Sequence, residues 1–112
     1  LGANDAFQGV PAAEVEQNLR QMIRAIQPHG SLVLLAGVKP TPTKGLVYMS
    51  EFETLYENLS QEFGLSLMPS FLSGVMLRAQ YNIADGIHPN RAGYSIIVNN
   101  LWPYLEPLLL KP

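Results

Sequence analysis

Cysteine is missing altogether from this 112-residue chain. That rules out a disulfide framework, a thiol nucleophile and any thiolate metal site, but it leaves the compartment open, because exported proteins can also lack disulfides. Long apolar runs are missing too. Nothing approaches the roughly 20 residues a bilayer-spanning helix needs, and the first residues are neither basic nor apolar enough for a signal peptide. Charge is sparse, with 7 Lys and Arg against 9 Asp and Glu, and the basic residues are scattered, so no field exists to hold a polyanion and no nucleic acid is expected as a partner. Histidine occurs only as His29 and His88. Two imidazoles far apart in sequence, with scattered carboxylates, are too few ligands for a metal-dependent hydrolase. The chain opens on Leu1 rather than Met, and the expectation is an N-terminal segment that was removed or belongs to another polypeptide.

What is present is apolar material: 47% hydrophobic residues beside 14% charged ones support one globular domain over residues 1–112. Val15, Leu19, Met22, Ile23 and Ile26 recur at helical spacing, which predicts an amphipathic helix from Pro11 to Gln27, with Pro11 suited to the first turn. Pro28-His29-Gly30 stops it. Ser31 to Gly37 is a continuous apolar run of the kind found in a parallel strand covered on both faces. Lys39-Pro40-Thr41-Pro42-Thr43 then reads as a loop at the carboxyl end of that strand, where ligand sites of open α/β sheets lie.

A second helix is predicted from about Ser50 to Phe63, with Phe52, Leu55, Tyr56, Leu59 and Phe63 on one face and Gly64 as its stop. Leu65 to Pro69 reads as another short strand. Phe71 to Leu77 fits either a short helix or a lid-like loop. Arg91 to Leu110 is a terminal helix carrying Ile96, Ile97, Leu101, Leu105 and Leu108, which Pro103 should kink or restart. Helices alternating with buried strands imply an α/β layer fold.

Asp85-Gly86-Ile87-His88-Pro89-Asn90 sets a carboxylate three residues before an imidazole in a turn stiffened by glycine and proline. One such turn can deliver both groups: His88 to take a proton from a hydroxyl nucleophile, and Asp85 to hold the imidazole in the right tautomer. Gly86 removes bulk where the turn is tightest. Asn4, beside Gly2, carries side-chain N–H groups suited to a developing oxyanion. Each motif alone has a plainer meaning. Asp-Gly and His-Pro are ordinary turn material, Asn4-Asp5 also suits a helix N-cap or Asx-turn, and His29 suits a solvated loop after a helix end.

Taken in this order with an α/β pattern between them, the motifs resemble those of the SGNH hydrolases, the GDSL-type esterases and lipases, in their bacterial thioesterase, lysophospholipase and arylesterase branch. Leu1-Gly2-Ala3-Asn4-Asp5 is similar to the family's G-x-N-D block and Asp85 to Asn90 to its final D-x-x-H-P block. The resemblance spans the whole chain. It implies a three-layer α/β/α, flavodoxin-like fold with a parallel sheet, incomplete on its N-terminal side, and an acyl-enzyme mechanism without metal or organic cofactor. Asp85, His88 and Asn4 are implied as catalytic residues, and Gly2, Asp5 and Ile87 as substrate-binding ones.

The family's Gly-Asp-Ser nucleophile block is absent, since no serine here follows a Gly-Asp pair. The expected partners are therefore a small-molecule or lipid ester or thioester, and an N-terminal segment or chain carrying the nucleophile, with a homodimer through the exposed sheet as another occupant of the open side. The resemblance implies periplasmic or secreted location. The rival expectation is an inactive remnant that serves as a binding or interaction module.

Overall fold

The computed structural model describes residues 1–111. They form two compact units, Leu1–Pro69 and the stretch from Ser70 onward. The first unit opens with α1 (Ala3–Gln8), a helix that no sequence periodicity announces, because six residues are too few to display a stripe. Gly2 precedes it at φ +112°, a conformation glycine adopts freely, and its carbonyl accepts the Ala6 N–H at 2.9 Å.

α2 (Ala12–Ile26) matches the predicted helix closely. Ala12, Val15, Leu19 and Ile23 are buried, whereas Met22 and Ile26 are 46% and 42% exposed. The buried face is narrower than the apolar pattern implies, because the helix neighbouring α2 is α3 (Leu46–Phe63). Arg20 Nε donates to Glu62 Oε2 at 2.8 Å and Asn58 Nδ2 to Glu16 Oε1 at 3.3 Å, linking the two helices along a solvent edge.

α3 starts at Leu46 rather than near Ser50. Gly45, at φ +92°, opens it, and the Gly45 carbonyl accepts the Met49 N–H at 3.1 Å. Leu46 and Val47 stand well out in solvent, so this first turn lies outside the apolar stripe that marks the rest. Phe52, Leu55, Tyr56 and Leu59 are buried as expected. Gly64 ends the helix in the left-handed region with its N–H on the Ser60 carbonyl.

β1 (Leu34–Ala36) and β2 (Ser66–Met68) pair in parallel, with Leu34 opposite Ser66 and Ala36 opposite Met68. The strand expected over Ser31 to Gly37 is thus cut to three residues. Its partner is the limit: Leu65 already donates back to Ser60, and Pro69 has no N–H to extend a ladder. Gly37 N donates to Met68 O at 2.8 Å. A Cβ on Gly37 would lie 2.7 Å from the Pro69 oxygen, so the close approach of these chains requires glycine. Helices packed with a small parallel sheet make the chain an incomplete α/β/α fold.

In the second unit Phe71 to Leu77 forms consecutive turns rather than a helix. Gly74 and Leu77 both have positive φ, +77° and +63°, which breaks any helical run. Leu72 and Val75 nevertheless bury against Ile97 of α4 (Arg91–Leu109), flanked by Phe71, Met76, Tyr81 and Ile96. α4 runs unbroken through Pro103 and Pro107, so the expected restart at Pro103 does not occur. Both prolines and Asn99, whose carbonyl loses its partner to Pro103, are exposed, and water can satisfy the orphaned acceptor.

Candidate active site

Asp85 and His88 sit on a miniature hairpin. Ile83 N donates to His88 O and Asn90 N to Tyr81 O, each at 2.9 Å, and Asn82 bridges Pro89 in antiparallel sense. Gly86, at φ +75°, returns its N–H to the Ile83 carbonyl at 2.9 Å and turns the tip in a conformation a side chain would strain.

The carboxylate is held from two sides. Asp85 Oδ1 accepts the backbone N–H groups of Ile87 and His88, both at 3.0 Å, and Oδ2 meets His88 Nδ1. Hydrogen bonds to the charged form favour it. The His88 N–H, then the Ile87 N–H and the imidazole, hold the Asp85 carboxyl down at about 2. Facing a carboxylate, Nδ1 is the donor, and in the neutral imidazole Nε2 then keeps its lone pair. The His88 side chain is 53% exposed and that of Asp85 38%, so the ring is open to an incoming group. Such a pair can accept a proton at Nε2 and stabilise the imidazolium that results.

Ile87, between them, is half-buried, and its backbone serves Asp85. Gly2, Asn4 and Asp5 belong to the first unit. Asn4 is exposed in the first turn of α1, but it does not cap that helix: Gly2 holds the N-cap position and no side-chain cap bond forms. The capping alternative therefore fails. Asp5 is half-buried, and its carbonyl accepts the Val10 N–H at 3.0 Å.

Sequence reasoning missed the residues that fix this turn. Tyr56 Oη donates to Leu1 O at 2.6 Å, burial pushes its phenol well up, and a Cβ on Gly2 would lie 2.3 Å from that hydroxyl. Buried Tyr56 thus pins the start of α1 and admits only glycine beside it. On the other unit, Asn90 caps α4 through Oδ1, which accepts the Gly93 N–H at 2.9 Å. An Asn just before a helical pattern is a cap signal, so that role was within reach of the sequence.

An imidazole oriented by a neighbouring carboxylate can move a proton to and from a reacting group, and known proteins resemble this chain along its length. Residues 1–96 match the GDSL-like Lipase/Acylhydrolase family. Esterase TesA of Pseudomonas aeruginosa is 37% identical over 109 residues, covering 97% of this chain and 54% of that protein. Thioesterase 1/protease 1/lysophospholipase L1 of Escherichia coli K12 is 33% identical, covering 97% and 52%. A crystal structure of TesA superimposes with a TM-score of 0.91 at 36% identity, covering 96% of this chain and 60% of that one. The chain belongs to the GDSL-like lipase/acylhydrolase family. It spans about half the length of the curated relatives it matches and corresponds to their C-terminal part.

Proposed function

We propose that this chain is the acid–base and oxyanion portion of a serine hydrolase that cleaves carboxylic esters or thioesters through an acyl-enzyme. The observation that carries the reading is the Asp85–His88 pair, with Nδ1 engaged and Nε2 without a hydrogen-bond partner among the described residues. In the proposed reaction a serine hydroxyl, supplied by a segment outside these 112 residues, attacks the substrate carbonyl carbon while His88 Nε2 takes its proton. The carbonyl oxygen becomes an oxyanion, to which the Asn4 amide donates. Asp85 stabilises the imidazolium without itself being protonated. As the tetrahedral intermediate collapses, His88 gives the proton to the departing alcohol or thiol and the acyl group stays on serine.

Water then follows the same path. His88 deprotonates it, the acyl–serine bond breaks, and the acid leaves as serine regains its proton. Gly2 and Asp5, close to Asn4 in sequence, and Ile87, between the acid and the base, are assigned to substrate contact in this reading. Small esters, thioesters and single-chain lipids are the proposed substrates, in keeping with the names of the two relatives above.

Fluorophosphonate labelling tests this. The 112-residue chain alone should take up no label, because it offers no activated serine. Joined to a segment with a Gly-Asp-Ser turn, it should direct one label to that serine, and His88→Ala should abolish the reaction. Stoichiometric labelling of a serine within this chain would refute the assignment.

A further inference from the structure

Asp85 and His88 lie too far out in solvent for packing to hold them, so their register must come from the hydrogen bonds of the hairpin beneath. Those bonds converge on two asparagines. Asn82 is 6% exposed, and a buried amide is costly unless it is hydrogen-bonded. Its Nδ2 donates to Val75 O at 2.7 Å and Arg78 O at 2.8 Å, while Oδ1 finds no partner among the described residues. These two carbonyls bracket Leu77, whose left-handed backbone is strained in a residue with a Cβ. Asn82 thus clasps a strained turn with its side chain while its backbone begins the hairpin. Asn90 stands on the returning strand. Beyond capping α4 with Oδ1, it donates from Nδ2 to Gln80 O at 3.0 Å and to Asn82 O at 3.4 Å. It therefore joins both strands of the hairpin to the start of α4.

We propose that Asn82 and Asn90 are positioning residues that hold the Asp85–His88 pair in register, Asn82 by anchoring the first strand to the turn at 75–78 and Asn90 by tying the strands to each other and to α4. The catalytic meaning of this brace rests on the reading of His88 as the base. Neither asparagine touches the reacting atoms. Each acts by fixing where the imidazole points, and displacements of about 1 Å at such a group lower rates by roughly 10²-fold.

Asn90→Ser and Asn90→Asp separate the brace from a simple cap, because both keep a capping oxygen and both lose the Nδ2 donors. Asn90→Asp also sets a negative charge against two carbonyl oxygens. Nuclear magnetic resonance of the 112-residue chain reads the outcome directly: the His88 Nδ1–H proton and the titration of the Asp85 carboxyl. In both variants the Nδ1–H signal should broaden or vanish, and the Asp85 midpoint should climb from about 2 toward the ordinary 3.8, with far-ultraviolet circular dichroism unchanged. With the nucleophile supplied, kcat should fall about tenfold or more and KM by a much smaller factor.

Asn82→Ala lowers stability under any reading, so Leu77→Gly in that background supplies the second measurement. Relief of the left-handed strain should recover melting temperature without recovering the Nδ1–H signal; recovery of both would overturn the role of Asn82. Wild-type imidazole and carboxyl signals in both Asn90 variants would overturn the brace. Lost signals beside a fully active His88→Ala enzyme would instead overturn the functional reading, and with it the catalytic meaning of the brace.

Discussion

Gly93→Ala is a substitution on which helix propensity and tertiary structure predict opposite signs. Gly93 is the third residue of α4, and by propensity alone alanine should stabilise the helix by up to about 1 kcal/mol. A Cβ there, however, would lie 2.2 Å from the Tyr81 carbonyl oxygen, and 3.1 Å from both Pro89 Cβ and Val75 Cγ1. The first contact is more than about 1 Å inside optimal separation. Its neighbour is a backbone atom that no rotamer change can withdraw. Overpacking of this kind costs roughly 1–3 kcal/mol. The Tyr81 carbonyl also accepts the Asn90 N–H, and the Gly93 N–H serves Asn90 Oδ1; losing either hydrogen bond adds about 1 kcal/mol. The net expectation is a destabilisation of about 2 kcal/mol. Denaturation followed both by circular dichroism and by the fluorescence of Trp102, the single tryptophan, which lies on α4, measures it. A Gly93→Ala chain as stable as wild type, or more so, would refute the packing argument at the base of the hairpin.

Further outcomes follow from the same geometry. Asn4→Asp should leave thermal stability within about 0.5 kcal/mol, because Asn4 caps nothing, while lowering kcat of the assembled enzyme by about 10² or more with KM changed much less; a variant that keeps more than about a third of its rate would remove Asn4 from the oxyanion role. Asp85 has a folded value of about 2 against an ordinary 3.8. Its stabilising contribution is therefore complete above the ordinary value and is lost progressively as pH falls from there through the folded one. Carbon-13 titration of its carboxyl should find no midpoint between pH 3 and pH 7, and activity lost on acidification within that window should not track this group.

The long periodic helices were legible in the sequence because their buried stripes extend over several turns: Val15, Leu19 and Ile23 on α2, and Phe52, Leu55, Tyr56 and Leu59 on α3. Where tertiary partners decide, the pattern overreached. Met22 and Ile26 continue the α2 stripe into solvent, and the apolar run at Ser31 to Gly37 pairs only as far as its three-residue partner allows. α1 was invisible because its start is set by Gly2 against Tyr56, a contact between distant parts of the sequence. The site shows the same division. The Asp85–His88 contact is local and could be read from one turn, whereas the Asn82 amide finds its partners on the preceding turn at 75–78 and the Asn90 amide finds its partners only once the hairpin has closed.

His88 is the group on which the proposed acid–base chemistry of this chain depends. In a protein containing this chain together with its nucleophile segment, His88→Ala should lower kcat/KM by about 10³ to 10⁶, the range seen when a triad member is removed. His29→Ala should change it less than about twofold, because His29 lies exposed in the turn that follows α2 and alters only the solvated surface. Equal effects from the two substitutions, or full activity without His88, would contradict the assignment of Asp85 and His88 as the acid–base pair.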